Sequence, residues 1–196
     1  FDAVMVSGYV PAVPEAGGYG VHLDGRPVRT PAKRALIVPT EGLAGAIAAE
    51  WDAQDGRIRP ETMPHTRAAN SAIDKVTPMV DAVVDELSGY GGTDLLCYRA
   101  TGPGALIARQ AAVWDPLLAW ARDALDAPLI VTAGVIPVPQ PQASLARLRA
   151  HVADNSAFRL AALHDLVAIS GSLVLALAVA RQRLPVDAAF AASRID

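Results

Sequence analysis

The sequence contains a single cysteine, Cys97, and few aromatic residues. One cysteine cannot form a disulfide within the chain, so a disulfide-stabilised secreted domain is excluded and a reducing compartment is expected. The apolar neighbours of Cys97 predict a buried, unreactive thiol. Because only 5 % of the residues are aromatic, the three tryptophans, Trp51, Trp114 and Trp120, indicate where packing or contact is concentrated.

Strong charge of either sign is also missing. Seventeen Lys and Arg residues and 20 Asp and Glu residues give a net charge of −3, without a basic stripe, so neither nucleic acid nor a membrane surface is an expected partner. The longest uncharged apolar run, residues 166–180, contains Ser-Gly-Ser and is shorter than the roughly 20 residues that cross a bilayer. It predicts a buried helix and no integral membrane segment.

Patterns that carry common enzyme chemistry are absent from the sequence. The glycines at 17–20 and 89–92 match neither a dinucleotide-binding loop nor a nucleotide phosphate loop, and their ordinary role is in turns. No histidine pairs with another histidine or with a cysteine at the spacing of metal ligands. The four histidines are His22, His65, His151 and His164. The sequence therefore predicts no catalytic residues, no metal and no cofactor.

The first 39 residues are typical of β structure. Residues 19–23 alternate between apolar and other side chains, and Asp24-Gly25 supplies the residue types of a two-residue hairpin turn. Residues 26–30 can form the returning strand, which Pro27 confines to an edge or to a strand start. Residues 35–38 predict a further short strand.

Helical spacing replaces this pattern from Thr40, which can cap a helix that carries Trp51. A second helix is predicted from residues 63–64, and Thr77-Pro78 predicts the N-cap of a third. Two helices separated or kinked at Asp115-Pro116 follow, and further helices complete the chain. The predicted fold is α+β, with a small N-terminal β domain (residues 1–39, hairpins in a partly open barrel or sheet) and a larger α-helical domain (residues 40–196).

Three polar strings lie close together in the sequence: EWDAQ (50–54), PETMPHTRAANSAID (60–74) and TDLLCYRA (93–100). Arg67, Asn70 and Asp74 are spaced by three and four residues and would form one polar stripe on a helix, and Asp94 and Arg99 are candidate partners for Asp74. Trp51, beside charged residues at a helix end, is the tryptophan expected to be exposed. Two interpretations remain open: a structural network that joins the two domains, and a recognition surface with Arg and Trp anchors. The candidate partner-binding residues are Trp51, Arg67, Asn70, Asp74, Asp94 and Arg99.

Together with WDPLLAWA (114–121) and SGSLVLALA (170–178), these strings resemble the ATP-twelve family of assembly chaperones. The resemblance implies a protein that binds the free alpha subunit of F-type ATP synthase, shields its subunit interface and prevents aggregation before ring assembly. It also implies a protein with no nucleotide or metal of its own. A monomer is expected, and the Ala- and Arg-rich composition without a visible leader favours a bacterial cytoplasm over the mitochondrial matrix of a eukaryote. Because the family usually continues past residues 193–196, a truncated C-terminal end is expected.

Two alternatives to a transient chaperone remain. The first is an enzyme with an unrecognised site between the domains, built on Arg67, Asn70, Asp94 and Arg99. The second is a structural subunit that stays with its partner permanently.

Overall fold

The computed structural model describes residues 11–55 and 57–195. Contacts within the chain divide it into two compact units, Phe1–Met79 and Val80–Asp196. Strands dominate the beginning of the chain and helices the rest, which confirms the predicted α+β class. The boundary predicted between residues 39 and 40 marks the change from strand to helix and stays a prediction, because the first compact unit also includes the helices up to Met79.

A small antiparallel sheet begins the first unit. Its strands are β1 (Ala12–Glu15), β2 (Gly18–Leu23), β3 (Arg26–Pro27) and β4 (Ile37–Val38), and β2 pairs with each of the others. Asp24 and Gly25 have φ values of 50° and 74°, so the predicted hairpin turn between β2 and β3 is confirmed. Glycine is required at position 18, because a Cβ there would overlap the carbonyl oxygen of Val38.

Helix α1 (Glu41–Asp52) packs on β2 and covers one face of this sheet. The Thr40 hydroxyl accepts a hydrogen bond from the Leu43 amide at 3.3 Å, which confirms the predicted N-cap. Ala44, Ile47 and Ala48 form the buried face of the helix. Two of these residues are alanines, whose small side chains allow the helix backbone to approach the sheet closely.

The next helical segment changes its pitch along its length. Helix α2 (Pro64–Ser71) continues into a π-helical turn (Ala72–Val76) and a 3-10 turn (Thr77–Met79). The predicted N-cap at Thr77 is wrong, because the backbone is already helical there and the Thr77 hydroxyl donates to the Ala72 carbonyl oxygen at 2.8 Å. Such wide turns are rare and change the direction of the side chains that they carry, here including Asp74.

Asp74 joins this helical segment to the loop after β3. Its carboxylate accepts hydrogen bonds from the Thr30 hydroxyl at 2.7 Å and from the Ala32 amide at 3.1 Å. Arg34 extends the link by donating to the Ile73 carbonyl oxygen at 2.9 Å. The prediction that Asp74 pairs with Asp94 or Arg99 is wrong, because Asp74 takes its partners from a loop of its own unit. Of the two interpretations of the polar strings, the contacts of Asp74 favour the structural network.

The second unit is helical. Its helices are α3 (Val80–Gly89), α4 (Gly104–Leu125), α5 (Gln142–Ala153), α6 (Ala157–Ser170), α7 (Leu173–Ala180) and α8 (Val186–Ala192). Two short parallel strands, β5 (Tyr98–Arg99) and β6 (Thr132–Ala133), connect the loops before and after α4.

Helix α4 runs through Pro116 as one helix, so the predicted separation at this proline is wrong, while a kink there stays a prediction. A proline removes the hydrogen bond to the carbonyl four residues earlier, here that of Ala112. Both Pro116 and Ala112 are exposed, so water can reach the free carbonyl. The opposite face is anchored by buried Trp114, Leu117 and other apolar side chains, and this packing holds the two halves of the helix together.

Helix α7 forms the centre of the second unit and contacts α4, α6 and α8. All side chains from 173 to 178 are buried. The apolar run at 166–180 is divided between α6 and α7 by Gly171, whose φ of 70° ends α6. The prediction of a buried helix in this run is confirmed for α7 only, because Ala168 and Ile169 of α6 are exposed. No helix in the described ranges is long and apolar enough to cross a membrane.

Replacing Asp74 by alanine should lower the free energy of unfolding by about 1–3 kcal/mol, because the Thr30 hydroxyl, only 3 % exposed, would lose its partner. Urea denaturation followed by circular dichroism would measure the loss. Asp55→Ala, at an exposed carboxylate of the same unit, serves as the control and should change stability by no more than about 0.5 kcal/mol. Equal effects of the two substitutions would contradict the proposed role of Asp74.

Candidate functional site

Trp51 lies in the last turn of α1 and lines an open groove beside the β2–β3 hairpin. This hairpin groove has a volume of about 560 Å³, and its apolar side includes Leu23, Val28 and Ile58. Trp51 is half-buried, and its Nε1 is shielded from solvent without a hydrogen-bond partner in the described residues. An unpaired buried donor costs about 1–3 kcal/mol, so this indole is an unusual feature of the unit. Trp120 is half-buried as well, so exposure does not single out Trp51.

Gln54 and Glu50 lie near Trp51 in the sequence and hold the surrounding chain in place. Neither was among the candidate partner-binding residues. Gln54 is 7 % exposed, and its side chain accepts from the Arg59 amide at 2.8 Å and donates to the Glu50 carbonyl oxygen at 2.8 Å. These bonds fix the loop that brings Ile58 to the groove. The EWDAQ string thus combines a groove residue with two structural ones.

The Glu50 side chain caps the N-terminus of helix α2. Its carboxylate accepts from the backbone amides of His65 at 2.6 Å and Thr66 at 2.8 Å, and from the Thr66 hydroxyl at 2.7 Å. Burial alone would raise the pKa of Glu50, but hydrogen bonds from Thr66 and His65 outweigh it and hold the pKa below its ordinary value. The carboxylate satisfies free amides at a helix N-terminus, where the N-cap residue Met63 makes no side-chain hydrogen bond.

Arg67 and Asn70 lie on α2 after this capped end. Arg67 is exposed, and no carboxylate within residues 11–55 or 57–195 forms an ion pair with it. Asn70 is half-buried, and its Oδ1 is shielded without a described hydrogen-bond partner. Of the predicted stripe, only Asp74 is engaged in hydrogen bonds to a neighbouring loop, which leaves Arg67 available for contact with another molecule.

Asp94 is fully buried in the second unit and holds the start of α7. One carboxylate oxygen accepts from the Ser172 hydroxyl at 2.7 Å and the Leu96 amide at 3.0 Å, and the other from the Val174 amide at 2.9 Å. Burial raises the pKa of Asp94, although these hydrogen bonds oppose the shift. The arrangement positions a helix start, and any contribution of Asp94 to partner binding would be indirect.

Arg99 is also mostly buried, with a side chain that is 10 % exposed. It donates to the Leu96 carbonyl oxygen at 3.0 Å and lies 5.3 Å from the centre of the Trp114 ring. Its Nη2 is 2.7 Å from Asp115 Oδ1. The angle of this contact is not that of a hydrogen bond, and Nη2 has no hydrogen-bond partner in the described part of the chain, so we assign the contact as an ion pair.

The candidate residues are therefore divided between the units. Trp51, Arg67, Asn70 and Asp74 belong to the first unit, and Asp94 and Arg99 to the second. Partner contact through any of them stays a prediction. So does a catalytic site built on residues of both units, but Asp94 has both carboxylate oxygens engaged and no exposed surface.

Cys97 and His151, whose side chains can take part in catalysis or metal binding, have structural surroundings. Cys97 is 1 % exposed, and burial raises the pKa of its thiol to about 12, which confirms the predicted buried cysteine. His151 contacts the Leu125 carbonyl oxygen at 3.0 Å and Arg181 at 2.8 Å. Within the described ranges, no group of three or more His, Cys, Asp or Glu side chains could hold a metal ion.

Comparison with known proteins identifies the family. The sequence model of the ATP12 chaperone protein matches residues 3–122, which is more than half of the chain. This chain belongs to the ATP12 chaperone family. The resemblance predicted from the polar strings is confirmed, and a chaperone role follows from family membership.

Two solved Atp12 structures and the structure of a third, related protein share the fold. Atp12 from Paracoccus denitrificans is 55 % identical over 99 % of this chain and 83 % of its own, with a TM-score of 0.96. A point mutant of Atp12p from the same organism is 54 % identical over 98 % of this chain and 82 % of its own, also with a TM-score of 0.96. The Atu1473 protein of Agrobacterium tumefaciens is 40 % identical over 95 % of this chain and 70 % of its own, with a TM-score of 0.89.

Substituting Asp94 by asparagine should lower the free energy of unfolding by about 1–3 kcal/mol for each backbone donor left without an acceptor, because an amide NH₂ group would replace one of two buried acceptors. Ser172→Ala removes a single hydrogen bond to the same carboxylate and should cost about 1 kcal/mol.

The comparison between wild type and Asp94→Asn also has an expected pH dependence. A raised pKa means that the folded state binds the Asp94 proton more readily than the unfolded chain does. The stabilisation that protonated Asp94 gives the folded state is complete below the pKa of Asp94 in the unfolded chain. It is lost as the pH rises through the pKa of Asp94 in the folded state. The difference in stability between wild type and Asp94→Asn should therefore grow as the pH falls from neutral, as measured by urea denaturation at a series of pH values. A difference that shrinks on acidification would contradict the assignment.

The Cys97 thiol should react with a disulfide reagent only when the protein unfolds, because its pKa of about 12 keeps it protonated at neutral pH and burial blocks access. The absorbance of the thiolate released from the reagent, followed at neutral pH with and without urea, would measure the rate of the reaction. A Cys97→Ala, Ala143→Cys variant, with its cysteine at an exposed position of α5, should react at once in the folded state. Rapid stoichiometric modification of the folded wild type would contradict the prediction.

Proposed function

We propose that this protein binds the free alpha subunit of F-type ATP synthase and covers the surface that the subunit later presents to its neighbours in the ring. The observation that carries the proposal is membership of the ATP12 chaperone family, together with TM-scores of 0.96 to Atp12 structures over 98–99 % of this chain. We further propose that it acts as a monomer, in a bacterial cytoplasm or in the mitochondrial matrix.

The physical basis of this activity is the shielding of an apolar interface. A subunit that has not yet entered its ring exposes a large, partly apolar surface, and such surfaces self-associate. A binder that occupies this surface lowers the concentration of free subunit by mass action and requires no energy source. Release follows when the beta subunit, with a larger contact area, competes for the same surface.

The first unit offers candidate contacts for such a partner. Trp51 lines the hairpin groove, and Arg67 is exposed without an ion-pair partner in the described residues. Aromatic and arginine side chains are the usual anchors of protein interfaces. Asn70 lies on the same helix as Arg67. Asp74 would support this surface by holding the loop after β3, whereas Asp94 and Arg99 of the second unit are proposed to contribute indirectly, through the packing of their own unit.

Purified alpha subunit should remain soluble at elevated temperature when this protein is present at equimolar ratio, and should precipitate without it. Light scattering measures the protection, and size-exclusion chromatography with multi-angle scattering should show a complex with one copy of each chain. Addition of beta subunit should release the chaperone. A serum albumin control distinguishes specific protection from crowding, and undiminished precipitation at equimolar ratio would refute the proposal.

A further inference from the structure

The hairpin groove has a chemical character of its own. Its apolar side is formed by Leu23, Pro27, Val28 and Ile58 together with Trp51. Apolar surface that lies open to one side can accept an aliphatic or aromatic side chain from another molecule. The groove is built entirely within the first unit, from the hairpin, the end of α1 and the loop that Gln54 holds.

Its charged lining is predominantly basic. Arg26 and Arg29 line the groove together with a single carboxylate, Asp24. Arg29 donates to the Lys33 carbonyl oxygen at 3.0 Å, which orients the guanidinium without neutralising it. Neither arginine forms an ion pair with a carboxylate in the described ranges, residues 11–55 and 57–195.

Four arginines of the second unit are paired with carboxylates. Arg99, Arg122, Arg147 and Arg149 each lie within 3.0 Å of an aspartate oxygen. Other exposed arginines, such as Arg109 and Arg183, also form no ion pair in the described ranges. Arg26 and Arg29 are distinguished by their position, because they lie together in the lining of a groove that also has an apolar side.

We propose that the hairpin groove binds an acidic segment of the partner polypeptide, with an apolar side chain of that segment against Trp51 and Ile58 and its carboxylates at Arg26 and Arg29. Arginine pairs with carboxylates through two parallel N–H donors, which gives both affinity and orientation. The identity of the partner as the alpha subunit rests on the proposed function.

A polypeptide is favoured over a nucleic acid by the same lining. Single-stranded nucleic acid binds on exposed aromatic faces along a basic track, whereas this groove has one half-buried tryptophan and several aliphatic side chains.

The test uses a short fluorescent peptide of alternating glutamate and leucine, and a second peptide in which lysine replaces glutamate. Fluorescence anisotropy should show binding of the glutamate peptide only, weakening as salt is added. The Arg26→Glu, Arg29→Glu double variant should weaken binding by about tenfold or more, because it replaces attraction with repulsion. Arg26→Gln, Arg29→Gln, which removes charge without reversing it, should have a smaller effect.

Arg109→Glu, Arg183→Glu is the matched control. Both arginines are exposed residues of the second unit, so the variant makes the same change in net charge away from the groove. It should bind the glutamate peptide with a dissociation constant within about twofold of wild type. Circular dichroism of all variants verifies that the fold is retained.

The outcomes separate this inference from the proposed function. If the alpha subunit binds wild type and the Arg26→Glu, Arg29→Glu variant equally, and the glutamate peptide does not bind, the groove assignment is wrong and the chaperone proposal stands. If the peptide binds in an arginine-dependent manner but the alpha subunit does not bind, the groove assignment stands and the proposed partner is wrong. Tighter arginine-dependent binding of oligothymidine than of the glutamate peptide would overturn the assignment.

Discussion

The second unit depends on one buried carboxylate at the start of its central helix. Asp94 satisfies the Val174 amide and fixes the Ser172 hydroxyl, which in turn accepts from the Leu175 amide at 3.0 Å. Helix α7 is apolar on all sides and has no polar face to orient it, so its position must be set at its end. The same carboxylate binds the Leu96 amide, which ties the chain before β5 to the helix that forms the core.

The first unit uses carboxylates in the same way. Glu50 satisfies the start of α2, and Asp74 ties the helical segment to the loop after β3. Each of the three polar strings thus supplies one acidic residue that satisfies backbone amides. Ionised or strongly hydrogen-bonded acceptors are effective in this role because each carboxylate oxygen can accept more than one bond. Polar residues of the types that often bind partners can therefore serve instead to stabilise the fold.

Local chemistry explains which parts of the fold were predictable. The Asp24-Gly25 turn and the Thr40 cap depend on a few neighbouring residues, and both were predicted from the sequence. The π-helical turn at Ala72–Val76 and the continuous helix through Pro116 depend on packing against distant segments, which propensities do not report. For the same reason, Thr77 was assigned as a cap although its neighbours are already helical.

The candidate site shows a similar limit. The type and spacing of residues identified Trp51 and Arg67, which lie at a groove and at an exposed position, and also Asp94, which is buried. Burial is decided by residues far away in the chain, here those of α7, so it cannot be derived from the string TDLLCYRA. Arg26 and Arg29 flank a turn and resemble ordinary solvent-exposed residues until the hairpin places them beside Trp51.

The position of α7 late in the chain has a consequence for synthesis on the ribosome. Residues of the first unit are contiguous and can pack together as soon as the nascent chain has passed Met79. Helices α4 and α6, in contrast, emerge before the helix against which they pack. Their apolar faces therefore stay exposed to solvent, to chaperones and to other nascent chains until residues 173–180 leave the exit tunnel.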